Sequence, residues 1–146
     1  MIVKNSFGIT AKGEAVDVYT IRNAAGTAVD IITYGATVNS IYVADKDGNF
    51  ADVLSGFDTV EGHEKFSDYQ GMTVGRYANR IALGKFSLDG VEYSLPVNNG
   101  PNHLHGGPEG LQNKIWEHRE NNGGVDFLYY SKDGQMGYPG ALKTAV

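Results

Sequence analysis

The sequence contains no cysteine, and this absence removes several kinds of chemistry at once. Disulfide bonds, thiolate nucleophiles and zinc sites built on cysteine are all excluded. No apolar run approaches the roughly 20 residues that a membrane-spanning helix needs, and no basic segment near the start leads into an apolar stretch. We therefore expect no secretory signal and no membrane span, and by default a cytoplasmic location.

Positive charge is also in short supply. The chain has 12 lysines and arginines against 17 aspartates and glutamates, which gives a formal net charge of −5. Nucleic acids and anionic membranes attract basic surfaces. The charge balance therefore argues against both as partners and leaves a neutral small molecule as an open possibility.

Glycine, by contrast, is abundant, with 20 among the 146 residues, and it divides the chain into short alternating runs. Runs at 16–21, 27–34 and 37–43 are separated by turn-forming residues, which predicts an antiparallel meander. Further strands are predicted at 85–88, 91–95, 114–120, 125–131 and 141–146, with a type I′ turn at Asp89–Gly90. A short helix is expected at 58–66, with Asp58 as its N-cap.

The strand predicted at 141–146 stops in the middle of its alternating pattern. An interrupted strand predicts that its partner strands are absent from residues 1–146. Without these partners, the neighbouring apolar side chains are expected to be exposed. We therefore expect residues 1–146 to be part of a larger fold, with Val125, Phe127, Tyr129 and the 142–146 strand exposed.

The first cluster of candidate functional residues lies at 75–81, and it contains Arg76, Asn79 and Arg80. Arginine is a fixed cation whose fork of donors suits hydroxyl and carbonyl oxygens. The alternative is that both arginines are surface charges that pair with carboxylates. Spacing alone favours this alternative.

The second cluster lies at 98–107, in a segment without periodicity that we expect to be a loop. If the segment is extended, His103 and His105 point the same way, and histidine can exchange protons near neutral pH. The glycines that follow allow a close approach of ligand or backbone. The alternative is two ordinary loop histidines.

A metal site is a further alternative for this segment. His103 and His105, with Glu109 four residues later, resemble the start of a cupin metal motif, and such groups can hold a divalent ion. The glycines that frame the cupin motif are replaced here by Val97 and Trp116. No suitable later histidine is available either, so we expect no metal.

Taken in order, these clusters resemble the signatures of the aldose 1-epimerase (galactose mutarotase) family. Residues 75–82 are similar to the signature GR-x-ANRIA, and residues 98–107 match N-x-GPN-x-LHGG. Weaker similarities at 32–36, 52–58 and 131–140 extend the resemblance over nearly the whole chain. The resemblance identifies residues 1–146 as the N-terminal portion of a single aldose 1-epimerase domain.

The resemblance implies an all-β fold, an antiparallel β-supersandwich of the galactose mutarotase type. It also implies acid/base ring opening that interconverts the α and β anomers of free hexoses such as galactose or glucose, without metal or cofactor. Asn79 and Arg80 would contact sugar oxygens, and His105 would act catalytically near the ring oxygen. The family's second histidine, its aspartate and its catalytic glutamate would lie in a C-terminal part beyond residue 146. A non-catalytic carbohydrate-binding or regulatory module on the same scaffold is the alternative.

Overall fold

Five strands at the start of the chain form an antiparallel meander in the computed structural model, which describes residues 1–66 and 69–146. Each strand pairs with the next along the chain, so the order in the sheet is the order in the sequence. The strands are β1 (Ile2–Ile9), β2 (Ala15–Arg22), β3 (Ala28–Ile32), β4 (Thr37–Ala44) and β5 (Phe50–Asp52). The three predicted strands are confirmed as β2 to β4.

Both additional strands lie at the edges of this sheet, where sequence signals are weak. Most side chains of β1 are exposed, and its pairing with β2 shifts register between Ser6 and Gly8. Such a bulge interrupts the two-residue alternation from which strands are predicted. The strand β5 has three residues, all of them exposed, so it carries no apolar pattern.

A short α-helix, α1 (Val60–Lys65), follows the meander. The Thr59 hydroxyl accepts a hydrogen bond from the Gly62 amide at 3.1 Å, so Thr59 is the N-cap and the prediction of Asp58 is wrong. The hydroxyl of Thr59 can reach this amide because Thr59 is still extended, with φ −140°. No helix in the described part of the chain is long and apolar enough to cross a membrane.

The remaining strands form smaller antiparallel units. They are β6 (Arg80–Ile81), β7 (Lys85–Leu88), β8 (Val91–Ser94), β9 (His103–Leu104), β10 (Glu117–Glu120), β11 (Val125–Ser131) and β12 (Leu142–Ala145). Strands β7 and β8 form the predicted hairpin, and Asp89 and Gly90 have φ values of 51° and 81°. These two positive angles are those of the predicted type I′ turn.

The main core cluster joins the meander to the sheet of β10, β11 and β12. Trp116 is fully buried, and Phe127 of β11 is only 2% exposed. The prediction that Phe127 is exposed is therefore wrong, because its ring packs edge-on against Tyr19 of β2 with centroids 6.0 Å apart. Val125 and Tyr129 are half-buried against the same cluster, whereas Val146 is 59% exposed.

Candidate active site

The two-stranded ribbon of β6 and β9 brings the two signature clusters together. Arg80 is paired with Leu104, and Ile81 with His103. Just beyond this ribbon, the His105 amide donates to the Asn79 carbonyl at 3.0 Å, and the Asn79 amide donates to His105 Nδ1 at 3.0 Å. Asn79, Arg80 and His105, all predicted as site residues, therefore lie side by side.

The hydrogen bond from Asn79 determines which nitrogen of His105 carries the proton. A backbone amide can only donate, so Nδ1 is the acceptor, and the neutral imidazole carries its hydrogen on Nε2. Burial, and secondly the positive charge of Arg80, lower the pKa of His105 below its usual value. The ring is therefore neutral at neutral pH and offers an Nε2–H donor.

The guanidinium of Arg80 is oriented by two amide oxygens. Nε donates to Asn99 Oδ1 at 2.9 Å, and Nη1 donates to Asn79 Oδ1 at 3.0 Å. Of the five N–H groups of an arginine, the other three have no partner among the described residues. Among the residues that the structure describes, no carboxylate forms an ion pair with Arg80. Within the described part of the chain, amide oxygens therefore orient the guanidinium and no group neutralises it.

Arg76 has a different role, although Arg76 and Arg80 belong to the same signature segment. Its guanidinium donates five hydrogen bonds, to Ser131 Oγ and to the carbonyls of Ser131, Lys132, Pro139 and Gly140, at 2.7–3.1 Å. These bonds tie the segment around Arg76 to the end of β11 and to the loop that follows. Arg76 is a structural connector and pairs with no carboxylate in the described residues.

His103, the other histidine of the second cluster, is fully buried. A carbonyl can only accept, so Nδ1 donates to Pro96 O at 2.6 Å, and Nε2 consequently accepts from the Tyr138 hydroxyl at 2.8 Å. Both ring nitrogens are satisfied. Burial, the main cause, raises the pKa of Tyr138 to about 12, so its hydroxyl keeps the proton that it donates.

The expectation that His103 and His105 point the same way is wrong, because the chain is not extended at His105. Its φ of 51° is left-handed, and the two rings contact different residues. Glu109 instead pairs with Lys114 at 2.8 Å. Within the described ranges the structure shows no group of three metal-ligating side chains, so these three residues are not brought together.

A close backbone contact explains the glycines of both signatures. Gly106 has a φ of 86°, and a Cβ at this position would lie 1.5 Å from the Gly75 carbonyl oxygen. A Cβ at Gly107 would lie 2.7 Å from Cε1 of His103. Any larger residue would push the His105 segment away from Asn79, so these glycines set the geometry of the site.

A concavity of about 430 Å³ opens beside Arg80. Its walls are largely aromatic and aliphatic and are formed by Arg76, Tyr77, Arg80, Ile81, Phe86 and Tyr138. The volume lies within the usual range for small-molecule sites. Asn79 and His105 are not among the lining residues, so the concavity adjoins the cluster through Arg80.

Two residues near the cluster were not predicted from the sequence. Asn99 holds the Arg80 guanidinium, and the ring of Tyr69 lies 4.6 Å from that of His105, centroid to centroid. Asn99 occupies a variable position of the resembling signature, so the motif does not single it out. Tyr69 is distant in sequence from the second cluster, and nothing in its surroundings indicates the contact.

The antiparallel sheets, together with the ribbon that joins the two motif segments, define a β protein. The family model described as Aldose 1-epimerase matches residues 17–146. Galactose mutarotase of Rattus norvegicus is 42% identical over 146 residues, which are 99% of this chain and 42% of that protein. Aldose 1-epimerase of Escherichia coli (strain K12) is 36% identical over 135 residues, 92% of this chain and 39% of that protein.

Solved structures give the same result. The GalM/aldose epimerase homologue from C. elegans superimposes with a TM-score of 0.85 at 37% identity, covering 90% of this chain and 41% of that chain. Galactose 1-epimerase from Lactobacillus acidophilus NCFM gives a TM-score of 0.83 at 29% identity, covering 99% and 43%. This chain belongs to the aldose 1-epimerase family, and its predicted galactose mutarotase-like fold is confirmed. It spans about two fifths of the length of these relatives.

Proposed function

We propose that this chain contributes one side of a mutarotase site, which interconverts the α and β anomers of a free hexose such as galactose or glucose. The observation that carries the proposal is the cluster of Asn79, Arg80 and His105, held together by reciprocal hydrogen bonds between the two signature segments. We propose the cytoplasm as its location, in keeping with a cysteine-free sequence.

The reaction needs a base that removes the proton of the anomeric hydroxyl and an acid that protonates the ring oxygen. As the carbon–oxygen bond of the ring breaks, negative charge develops on the ring oxygen. The Nε2–H of neutral His105 is a suitable hydrogen-bond donor to that oxygen, and the cationic Arg80 stabilises the same charge. The proton itself must come from an acid, which we place in the portion of the family's length that this chain does not span. Preorganised donors of this kind contribute about 3 kcal/mol each to lowering a barrier. After rotation of the open-chain carbonyl, the ring recloses on the other face.

The base belongs to a different part of the site in this proposal. Among the described residues, the side-chain oxygens that accept hydrogen bonds from Arg80 are those of amides, and His105 Nδ1 is occupied by the Asn79 amide. We propose that the base comes from the portion of the family's length that this chain does not span. Residues 1–146 would then bind the sugar and stabilise charge, and proton abstraction would depend on a C-terminal part.

A chimera tests this proposal. Residues 1–146 replace the matching part of the rat relative, and polarimetry follows the decay of pure α-galactose and α-glucose. The proposal requires faster decay with the chimera than with buffer, and a loss of this activity in Arg80→Ala and His105→Asn. A folded chimera that leaves the decay unchanged, while the intact rat protein accelerates it, would refute the proposal.

The alternative is a carbohydrate-binding or regulatory module without catalysis. It is favoured by the residues at hand, which offer donors for sugar oxygens but no carboxylate partner in the cluster that the structure describes. Calorimetric titration of the 146-residue chain with galactose distinguishes the two. Saturable binding by the chain, together with an inactive chimera, would support the module.

A further inference from the structure

Asn99 is the only side chain outside the predicted site residues that accepts a hydrogen bond from the Arg80 guanidinium in the described part of the chain. We propose that Asn99 is a positioning residue, which orients the Arg80 guanidinium beside His105 while leaving its positive charge unneutralised. The role in sugar chemistry rests on the proposed function; the positioning itself can be tested without turnover.

The backbone of Asn99 is held in a tight turn that is tied to both strands of the ribbon. Asn99 and Asn102 exchange two backbone hydrogen bonds, at 3.0 and 3.1 Å. The Asn102 side chain accepts from the Leu83 amide, just after β6, at 3.3 Å. The neighbouring Asn98 side chain bonds both the amide and the carbonyl of Leu104 in β9, at 2.7 and 3.0 Å. The Oδ1 of Asn99 therefore presents a fixed acceptor.

Arg80 needs such an acceptor because its side chain is exposed. A free arginine side chain retains roughly 2 kcal/mol of rotamer entropy, which a single ordered orientation must overcome. Asn79 Oδ1 binds one Nη1 hydrogen, and a single bond leaves the guanidinium free to rotate about it. The second bond, from Nε to Asn99, fixes the plane of the guanidinium group and thereby the direction of its remaining N–H groups.

The amide of Asn99 differs from a carboxylate in one respect that matters here. An aspartate could accept the same hydrogen bond, but it would neutralise the guanidinium and weaken its attraction for a developing oxyanion. In the described part of the chain, the groups that act on the His105 ring are the Asn79 amide, the Tyr69 ring and, through its charge, Arg80. Of these, only Arg80 carries a charge, so the titration of His105 reports where that charge lies.

The test is an NMR titration of the His105 ring in the 146-residue chain and in three variants. Asn99→Ala removes the acceptor, and Asn99→Asp keeps the acceptor but adds a negative charge. Asn122→Asp is the matched control, because Asn122 is exposed in the turn after β10, away from the ribbon. The Arg80 Nε–H signal is recorded alongside, and thermal melts verify folding.

We expect the pKa of His105 to rise in Asn99→Ala, because the released guanidinium spends less time nearby, and to rise further in Asn99→Asp. The protected Arg80 Nε–H signal should be lost in Asn99→Ala, and the Asn122→Asp variant should match the parent chain. If Asn99→Ala does not fold, Asn99→Ser serves instead, since its shorter side chain does not reach Nε.

An unchanged His105 pKa and a retained Nε–H signal in Asn99→Ala would overturn the proposal. A rise in Asn99→Asp alone would also overturn it, because that rise reflects only the added charge. Neither measurement requires sugar turnover. An inactive chimera would therefore refute the mutarotase function and leave the positioning by Asn99 to be decided separately.

Discussion

Two groups of side chains near the β6–β9 ribbon contain the same residue types in opposite conditions. In the first group, which we call the braced side, Arg76, His103 and Tyr138 have their polar atoms engaged by protein groups. In the second group, the open side, Arg80 and His105 are held by amides and have donors that no described residue uses. Because a polar group satisfied inside the protein has no capacity left for a ligand, the braced side stabilises the fold and the open side is available for binding.

The largest effect should come from the braced side. Replacing Arg76 by alanine leaves one hydroxyl and four carbonyls without their donor, and hydrogen bonds to charged groups are worth about 1.5–3 kcal/mol each, though not additively. We expect Arg76→Ala to lower the free energy of unfolding by about 3–5 kcal/mol, measured by urea denaturation. Arg80→Ala, the matched change on the open side, should stay within about 0.5 kcal/mol. Equal losses of unfolding free energy in Arg76→Ala and Arg80→Ala would contradict the distinction between the braced side and the open side.

The next effect concerns catalysis on the open side. In the active chimera, His105→Asn should lower turnover by at least about 100-fold, the lower range for a positioned proton donor or acceptor. Its unfolding free energy should change by no more than about 0.5 kcal/mol, as for most substitutions near the surface. Polarimetry and denaturation on the same preparation test both statements. Activity near the parent level would show that His105 is an ordinary loop histidine.

A smaller change should follow from removing one hydrogen bond on the braced side. Tyr138→Phe leaves His103 Nε2 buried without its donor, which costs about 1–3 kcal/mol in unfolding free energy. The NMR titration of His105 should remain as in the parent chain, because the two histidines do not share a partner. A shift in the His105 titration would show that the two sides are coupled through the ribbon.

The smallest effect is a displacement along the pH axis. Burial and the Arg80 charge lower the pKa of His105, so its neutral form persists to a lower pH than in a free histidine. The acidic limb of kcat/KM in the chimera should therefore lie below the usual histidine range. Arg80→Gln removes the cation, raises the pKa of His105 and should move this limb to higher pH. If the acidic limb of kcat/KM stays in place or moves to lower pH in Arg80→Gln, the charge of Arg80 does not lower the pKa of His105.

Strands with regular alternation were predictable from the sequence, and irregular ones were not. The runs of β2, β3 and β4 and the Asp89–Gly90 turn have local patterns that their backbones follow. The bulged edge strand β1 has no such pattern, and β6 and β9, with two residues each, are too short to show one. The burial of Phe127 was also missed, since it depends on Tyr19 from a distant strand.

Family membership and the fold class followed from the sequence, because the two signature segments are contiguous and retain their order and spacing. The three predicted site residues lie together in the structure, and their role in a site stays a prediction. Only the tertiary structure shows the physical difference within each pair. Arg76 and His103 have their polar atoms engaged by Ser131, Pro96 and Tyr138, whereas Arg80 is held by the amide of Asn99. The physical reason is that a side chain's role depends on which of its hydrogen-bonding groups the folded protein has already satisfied, and these partners come from segments far apart in the chain.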